Sequence, residues 1–193
     1  MVARGLVIGL ALAVSSSQSL GAGTVSLLLG SETLDEGFWA PTDQPLSVGL
    51  AVHVPLSRSR AGLQLGGIMA WESTTAFLPA PVSDFGDIDL DMVEAFVGFG
   101  AVFPEPEPST SHASFSVGAS LCEVDYSITT TSGTVSASDD TTGFYLSIGG
   151  GQRYGKVELN GIVRFRLGTD LELFGVKGDI DSTSLHFSIG YSF

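Results

Sequence analysis

Apolar residues recur at every second position along most of this chain, in segments set apart by stretches rich in Gly, Pro, Ser and Thr. The pattern is sharpest over residues 183–193. There Leu185, Phe187, Ile189, Tyr191 and Phe193 alternate with Ser184, His186, Ser188, Gly190 and Ser192. A strand sends successive side chains to opposite faces, so this period predicts a strand with one apolar face and one small, polar face. Residues 156–167 repeat it, with Val157, Leu159, Gly161, Val163, Phe165 and Leu167 opposite Lys156, Glu158, Asn160, Ile162, Arg164 and Arg166.

Further strands are predicted at 46–54, 62–71, 90–103, 112–123 and 142–151, with a less regular one at 24–32, making eight in all. Their apolar faces carry, for example, Val48 and Leu50, Met69 and Trp71, Val97 and Phe99, Phe115 and Val117, Phe144 and Ile148. Connectors after the second, fourth and sixth strands are short, and those after the first, third, fifth and seventh are long. The connector at 104–108 alternates Pro with Glu and cannot continue a ladder, because proline lacks the donor. Bacterial membrane barrels have short periplasmic turns and longer outer loops, and an even strand number then leaves both termini periplasmic. The expected fold is all-β, an eight-stranded antiparallel up-and-down transmembrane β-barrel. A soluble eight-stranded barrel of lipocalin type is the alternative, with the apolar face turned inward. The long loops, and an alternating strand that closes on phenylalanine, favour the membrane form.

Composition sharpens this reading. Hydrophobic residues make up 44% of the chain, yet beyond the N-terminal stretch no apolar run reaches the ~18 residues of a spanning helix. Residues 1–22 read as a secretory signal, with Arg4 as basic start, Leu6 to Val14 as apolar region and Ser19-Leu20-Gly21 as cleavage site. That leaves residues 23–193 as the barrel domain. A formal charge of −13 without any basic stripe argues against nucleic acid as a partner. The single Cys122 forbids an intramolecular disulfide and a cysteine-rich metal site, and reads as a small filler.

The charges divide by side. Arg58, Arg60, Arg153 and Lys156 fall at the short turns. The long loops hold Asp35, Glu36, Asp43, Asp84, Asp87, Asp89, Asp91, Asp139, Asp140, Asp170, Glu172, Asp179 and Asp181. Trp71 and Phe144 would lie near the outer rim, and Phe103, Tyr154, Tyr191 and Phe193 near the inner one.

Arg164 or Arg166 facing lipid at the midplane would cost about 2–4 kcal/mol each, so both belong in the lumen. A buried cation needs a partner, and parity points Glu94, Glu72 and Glu158 inward. The expected cluster is Arg164 and Arg166 with Glu94, Glu72 and Glu158, and His53 and His186 nearby. It serves either as a plug that holds the barrel shut or as the gate of a narrow pore.

His186 and Ser188 share a strand face, as in the His-x-Ser pair of lipid A deacylases, but no acidic residue follows to orient the imidazole. Asp87-Ile88-Asp89-Leu90-Asp91 has the alternating carboxylates of a calcium loop. It lacks the required glycine and glutamate, where Met92 and Gly98 stand. Weakly held divalent cations at the acidic rim, or a solvated strand end, are its two readings. No cofactor and no dedicated metal site are expected. Gly149-Gly150-Gly151 reads as a turn, and residues 127–140 as mobile surface.

With strands, loop asymmetry and the terminal L-x-F-x-I-x-Y-x-F in place, residues 23–193 resemble the small eight-stranded outer-membrane proteins. These include the OmpA/OmpX-type barrels and the porin-like opacity or surface-antigen family. The resemblance implies that Leu185, Phe187, Ile189, Tyr191 and Phe193 form the signal read by the barrel-assembly machinery. It also implies a monomer in contact with outer-membrane lipid and lipopolysaccharide. Members of the family act as structural proteins, adhesins, small-solute pores or, rarely, lipid-modifying enzymes. A non-enzymatic surface role is the leading expectation, with a narrow channel and a lipid A-modifying enzyme as alternatives.

Overall fold

Alternating strands with one apolar face are stable only when that face and every backbone donor are satisfied; closing the sheet on itself pairs the donors, and lipid covers an apolar face turned outward. A computed structural model describes residues 23–35, 39, 41–56, 61–78, 84–103 and 110–193. The strands are β1 (Thr24–Leu34), β2 (Leu46–Pro55), β3 (Ala61–Leu78), β4 (Asp84–Phe103), β5 (Ser111–Thr130), β6 (Gly133–Tyr154), β7 (Val157–Leu167), β8 (Asp170–Leu173), β9 (Val176–Asp179) and β10 (Ser182–Ser192). Eight of them form a closed antiparallel barrel in the order β1-β10-β7-β6-β5-β4-β3-β2, and β8 and β9 make a separate hairpin. Closure joins the first strand to the last, with Thr24 opposite Ser192 and Leu34 opposite Ser182. The backbones of Gly23 and Phe193 exchange two hydrogen bonds where the ladder ends.

The signal reading of residues 1–22, the Pro-Glu connector, Glu36, Arg58 and Arg60 lie outside the described residues. The face assignments follow the alternation. Leu185, Phe187, Ile189, Tyr191 and Phe193 are all exposed, while Ser184, His186, Ser188 and Ser192 are buried in the lumen.

Several strands run well past their expected ends, and their alternation reverses there. On β4, the odd positions Val97, Phe99 and Phe103 present an apolar exterior. Further along, the odd positions become Asp91, Asp89 and Asp87, while Ile88, Leu90 and Met92 are buried inside. On β5, outward Phe115 and Val117 give way to Glu123 and Asp125, with Cys122 and Val124 buried within. The register aligns these transitions, since Val93 pairs with Met69 and Glu123, and Asp91 with Trp71 and Asp125. An outer surface that turns from apolar to acidic at one level on neighbouring strands has the profile of a sheet leaving lipid for water. The apolar stretch is about ten residues per strand, the length a tilted strand needs to cross a bilayer.

Two expectations are corrected. Residues 127–140 are not a mobile surface but the outer ends of β5 and β6, paired down to Thr130 and Gly133. Threonine is a good strand former, and Thr129 and Thr134 bond hydroxyl to hydroxyl at 3.0 Å. Gly149-Gly150-Gly151 is not a turn but part of β6; the turn comes after Tyr154, with Gly155 at a φ of 63°. Asp87, Asp89 and Asp91 lie on β4, in keeping with the strand-end reading of that run.

Candidate functional site

Among the described residues polar side chains are sequestered in the lumen, which is divided into three layers. From the end with the short turns these are a cavity, a charged quartet and an apolar core.

The quartet follows from strand parity. Even positions of β1, β4 and β7 face inward, which brings Glu32, Glu94, Arg164 and Arg166 together. Arg164 donates to both Glu94 oxygens, at 2.7 Å from Nη1 and 2.6 Å from Nη2. Its guanidinium also packs against two rings, 4.5 Å from the Phe96 centroid and 4.4 Å from that of Tyr145. Cation–π contact adds attraction without asking for another carboxylate. Arg166 bridges the acids, with Nη1 3.4 Å from Glu94 and Nη2 3.2 Å from Glu32. Its Nε and Nη2 donate to the Ile180 carbonyl at 3.2 and 3.0 Å. The Ser182 hydroxyl donates to Glu32 at 3.3 Å. Two cations thus face two anions, and each of the four residues is at least nine-tenths buried. Such a group holds a structure through the cost of leaving any one member unpaired.

The expected cluster is therefore only partly assembled. Glu72 shares the inward parity but stands nearer the outer rim, where it accepts from the Gln44 amide at 2.8 Å. Glu32, on the irregular first strand, takes the carboxylate place that the sequence reading gave to Glu72. Glu158 lies at the opposite end, accepting from Ser192 at 3.0 Å, with Arg153 at 3.6 Å. His53 faces that end too. His186 lies beside the quartet and is hydrogen-bonded to Ser47 at 3.0 Å. Ser188 instead accepts from the Asn160 amide at 3.2 Å. The two members of the His-x-Ser pair thus have separate partners, and Ser47 takes the place a third group would need.

The outer layer is apolar. Leu90, Met92, Cys122 and Val124 from the strands enclose Trp39, Leu171, Leu173 and Ile180, all buried. Leu171 and Leu173 come from the β8–β9 hairpin, which folds over the mouth. Its two-residue turn is Phe174-Gly175, both at positive φ, 53° and 76°. The Phe174 ring packs edge-on against Tyr126 at 6.2 Å. Asp139 accepts from the Glu172 amide at 2.7 Å, Asp181 accepts from Thr169, and Trp39 donates to the Asp179 carbonyl at 2.6 Å.

The inner layer is a cavity of about 300 Å³ that opens at the end bearing the short turns. Gly98 and Gly118 make room there for the Tyr145 ring: a methyl on Gly118 would stand 2.7 Å from it. Among the described residues no group of three or more His, Cys, Asp or Glu is placed to hold a metal ion.

No protein-family model matches the sequence, and no curated protein matches it significantly. Solved structures do. The attachment invasion locus protein Ail of Yersinia pestis, in complex with the heparin analogue sucrose octasulfate, superposes with a TM-score of 0.57 at 16% identity. The match covers 89% of this chain and 98% of that one. The outer membrane protein OprG from Pseudomonas aeruginosa gives 0.61 at 12% identity, over 90% and 96% of the two chains. Neisserial surface protein A gives 0.51 at 12%, over 89% and 96%. The fold is that of the small eight-stranded outer-membrane barrels. Similarity this low in sequence carries the architecture alone, so what this barrel does rests on its own residues.

Proposed function

We propose that this chain is a non-conducting, non-enzymatic outer-membrane barrel that acts through its acidic outer surface. The observation that carries the reading is the fate of the β8–β9 hairpin. In an open pore an outer hairpin stays at the rim; here Leu171 and Leu173 are buried across the mouth, above a charge-balanced quartet. An ion would have to displace both layers. A narrow channel is the reading this arrangement disfavours, and the separate partners of His186 and Ser188 disfavour lipid A chemistry.

In this reading the apolar band lies in outer-membrane lipid, the short turns and both termini are periplasmic, and β10 offers its exposed apolar face to the assembly machinery. Asp87, Asp89, Asp91, Asp125 and Asp140, with half-buried Glu123, share one outward face of β4, β5 and β6 beyond the band. Asp91 stands directly opposite Asp125, and Glu123 opposite Asp140. Carboxylates gathered on one outward face attract cations, so the surface suits a basic partner or loosely held divalent ions. Ail was crystallised with a polysulfated ligand. An acidic surface would repel such an anion, which argues here for a cationic partner.

The test is retention of the detergent-solubilised barrel on polylysine and on heparin beads. Retention on polylysine alone is expected, released by salt and weakened in the Asp87→Asn/Asp89→Asn/Asp91→Asn variant. Retention on heparin alone contradicts the proposal.

A further inference from the structure

The cavity beneath the quartet is unused by a surface role, and its walls are not those of a simple water pocket. One side is a continuous apolar cluster of Leu28, Ala51, Ile68 and Phe96, with Ile162 packed against it. The other is polar, with Ser116, Ser147 and Ser188 among its lining residues. Water would satisfy the second wall and gain nothing from the first. The space is within the size range of small-molecule sites, which pair apolar walls with a few convergent polar groups.

Its charges are already matched. Arg153 at the mouth has Glu158 and Arg164 at the inner end has Glu94. Among the described residues that line it, no uncompensated full charge is offered to an occupant, so a charged one would lose its hydration without a counter-ion. Hydrogen-bonding capacity does remain in the hydroxyls of Ser116, Ser147 and Ser188. His112 is held through Nε2 to Asn160 at 2.7 Å, and its Nδ1, like Arg164 Nε, has no partner among the described residues but is shielded from the accessible space. Both residues line the cavity and are more than nine-tenths buried. Buried polar atoms of this kind are ordinarily satisfied, by protein, water or ligand.

We infer that the cavity is a binding site for an uncharged amphipathic small molecule, its apolar body on the Leu28–Ile68–Phe96 wall and a hydroxyl or carbonyl toward the serines. The ligand enters from the end with the short turns and meets the quartet as a closed inner end, so the site holds its occupant and does not pass it through. This inference is independent of what the outer surface binds.

The full barrel in lipid nanodiscs, titrated with n-octanol and followed by methyl NMR, tests it. Saturable shifts are expected at the methyls of Ala51, Ile68 and Ile162, with weaker ones for octanoate. Lipid-facing Leu185 and Ile189 report simple partitioning, which does not saturate. Ala51→Phe fills the apolar wall, and Ser116→Leu narrows the cavity from the other side. Each variant, with folding checked by heat-dependent gel mobility, should lose the saturable response. Equal, unsaturable shifts inside and outside would overturn the inference, as would octanoate binding as well as octanol. A saturable response that persists in both folded variants would also overturn it.

Discussion

Arg164 of β7 and Glu94 of β4 meet across the lumen as a two-point ion pair, at 2.6 and 2.7 Å, between strands separated by β5 and β6 in the barrel wall. Their bond spans the barrel, so it ties opposite walls in a way the sheet ladder cannot.

Breaking that tie from one side should be costly. Glu94→Gln leaves Arg164 without a counter-charge and Arg166 with Glu32 alone, and should destabilise the barrel by about 3–5 kcal/mol. The double variant Glu94→Met/Arg164→Met removes both charges and should recover most of the loss. Urea unfolding in lipid vesicles, with the two single variants and the double in one cycle, measures the coupling. Additive losses would mean that the pair does not act as a unit.

The slot for Tyr145 is equally specific. A methyl group on Gly118 would meet the Val97 carbonyl as well as the ring that packs on Arg164, so Gly118→Ala should cost about 1–3 kcal/mol by overpacking. Gly161 has open space around its added carbon. Gly161→Ala should therefore leave stability nearly unchanged in the same unfolding assay.

Parity makes a sharp prediction on β7. Val163 faces out beside inward Arg164, so Val163→Arg moves a cation by one residue and onto the lipid face. The cost should be about 2–4 kcal/mol near the midplane, with a matching fall in folded protein recovered from membranes. A soluble barrel would accept this substitution without loss, and that result would reverse the assignment of faces.

The outer layer should loosen without the barrel opening. Leu173→Ala removes a fully buried side chain from the hairpin core, at a cost of roughly 2–5 kcal/mol locally. Proteolysis at the Phe174-Gly175 turn should accelerate, while the heat-dependent gel mobility of the barrel persists. Loss of both together would show that the hairpin is part of the barrel's own folding unit.

Much of this architecture is legible in the sequence because lipid enforces strict alternation. Within the bilayer a single polar residue on the outer face is expensive, so the pattern around Leu185 and Val163 has little freedom. Outside the bilayer that constraint ends. Asp87-Ile88-Asp89-Leu90-Asp91 continues the same strand with its faces exchanged, and a reading tuned to apolar exteriors stops at Leu90. The β8–β9 hairpin carries Phe-Gly in its turn, without the Asn-Gly or Asp-Gly that marks such turns. Its place was hidden further because Leu171 and Leu173 look like loop residues until Leu90 and Val124 are seen to receive them. Glu32 was obscured by the weak alternation of the first strand. Glu72 was misplaced because parity fixes the face a residue points to but not its height along the barrel.

Single-channel recording of the purified barrel in a planar lipid bilayer addresses the closed lumen most directly. With the quartet intact and the hairpin seated in the mouth, insertion confirmed by protease accessibility should produce no ionic steps. Stable, uniform conductance steps from the unmodified protein would contradict the account and turn the quartet from a plug into a gate.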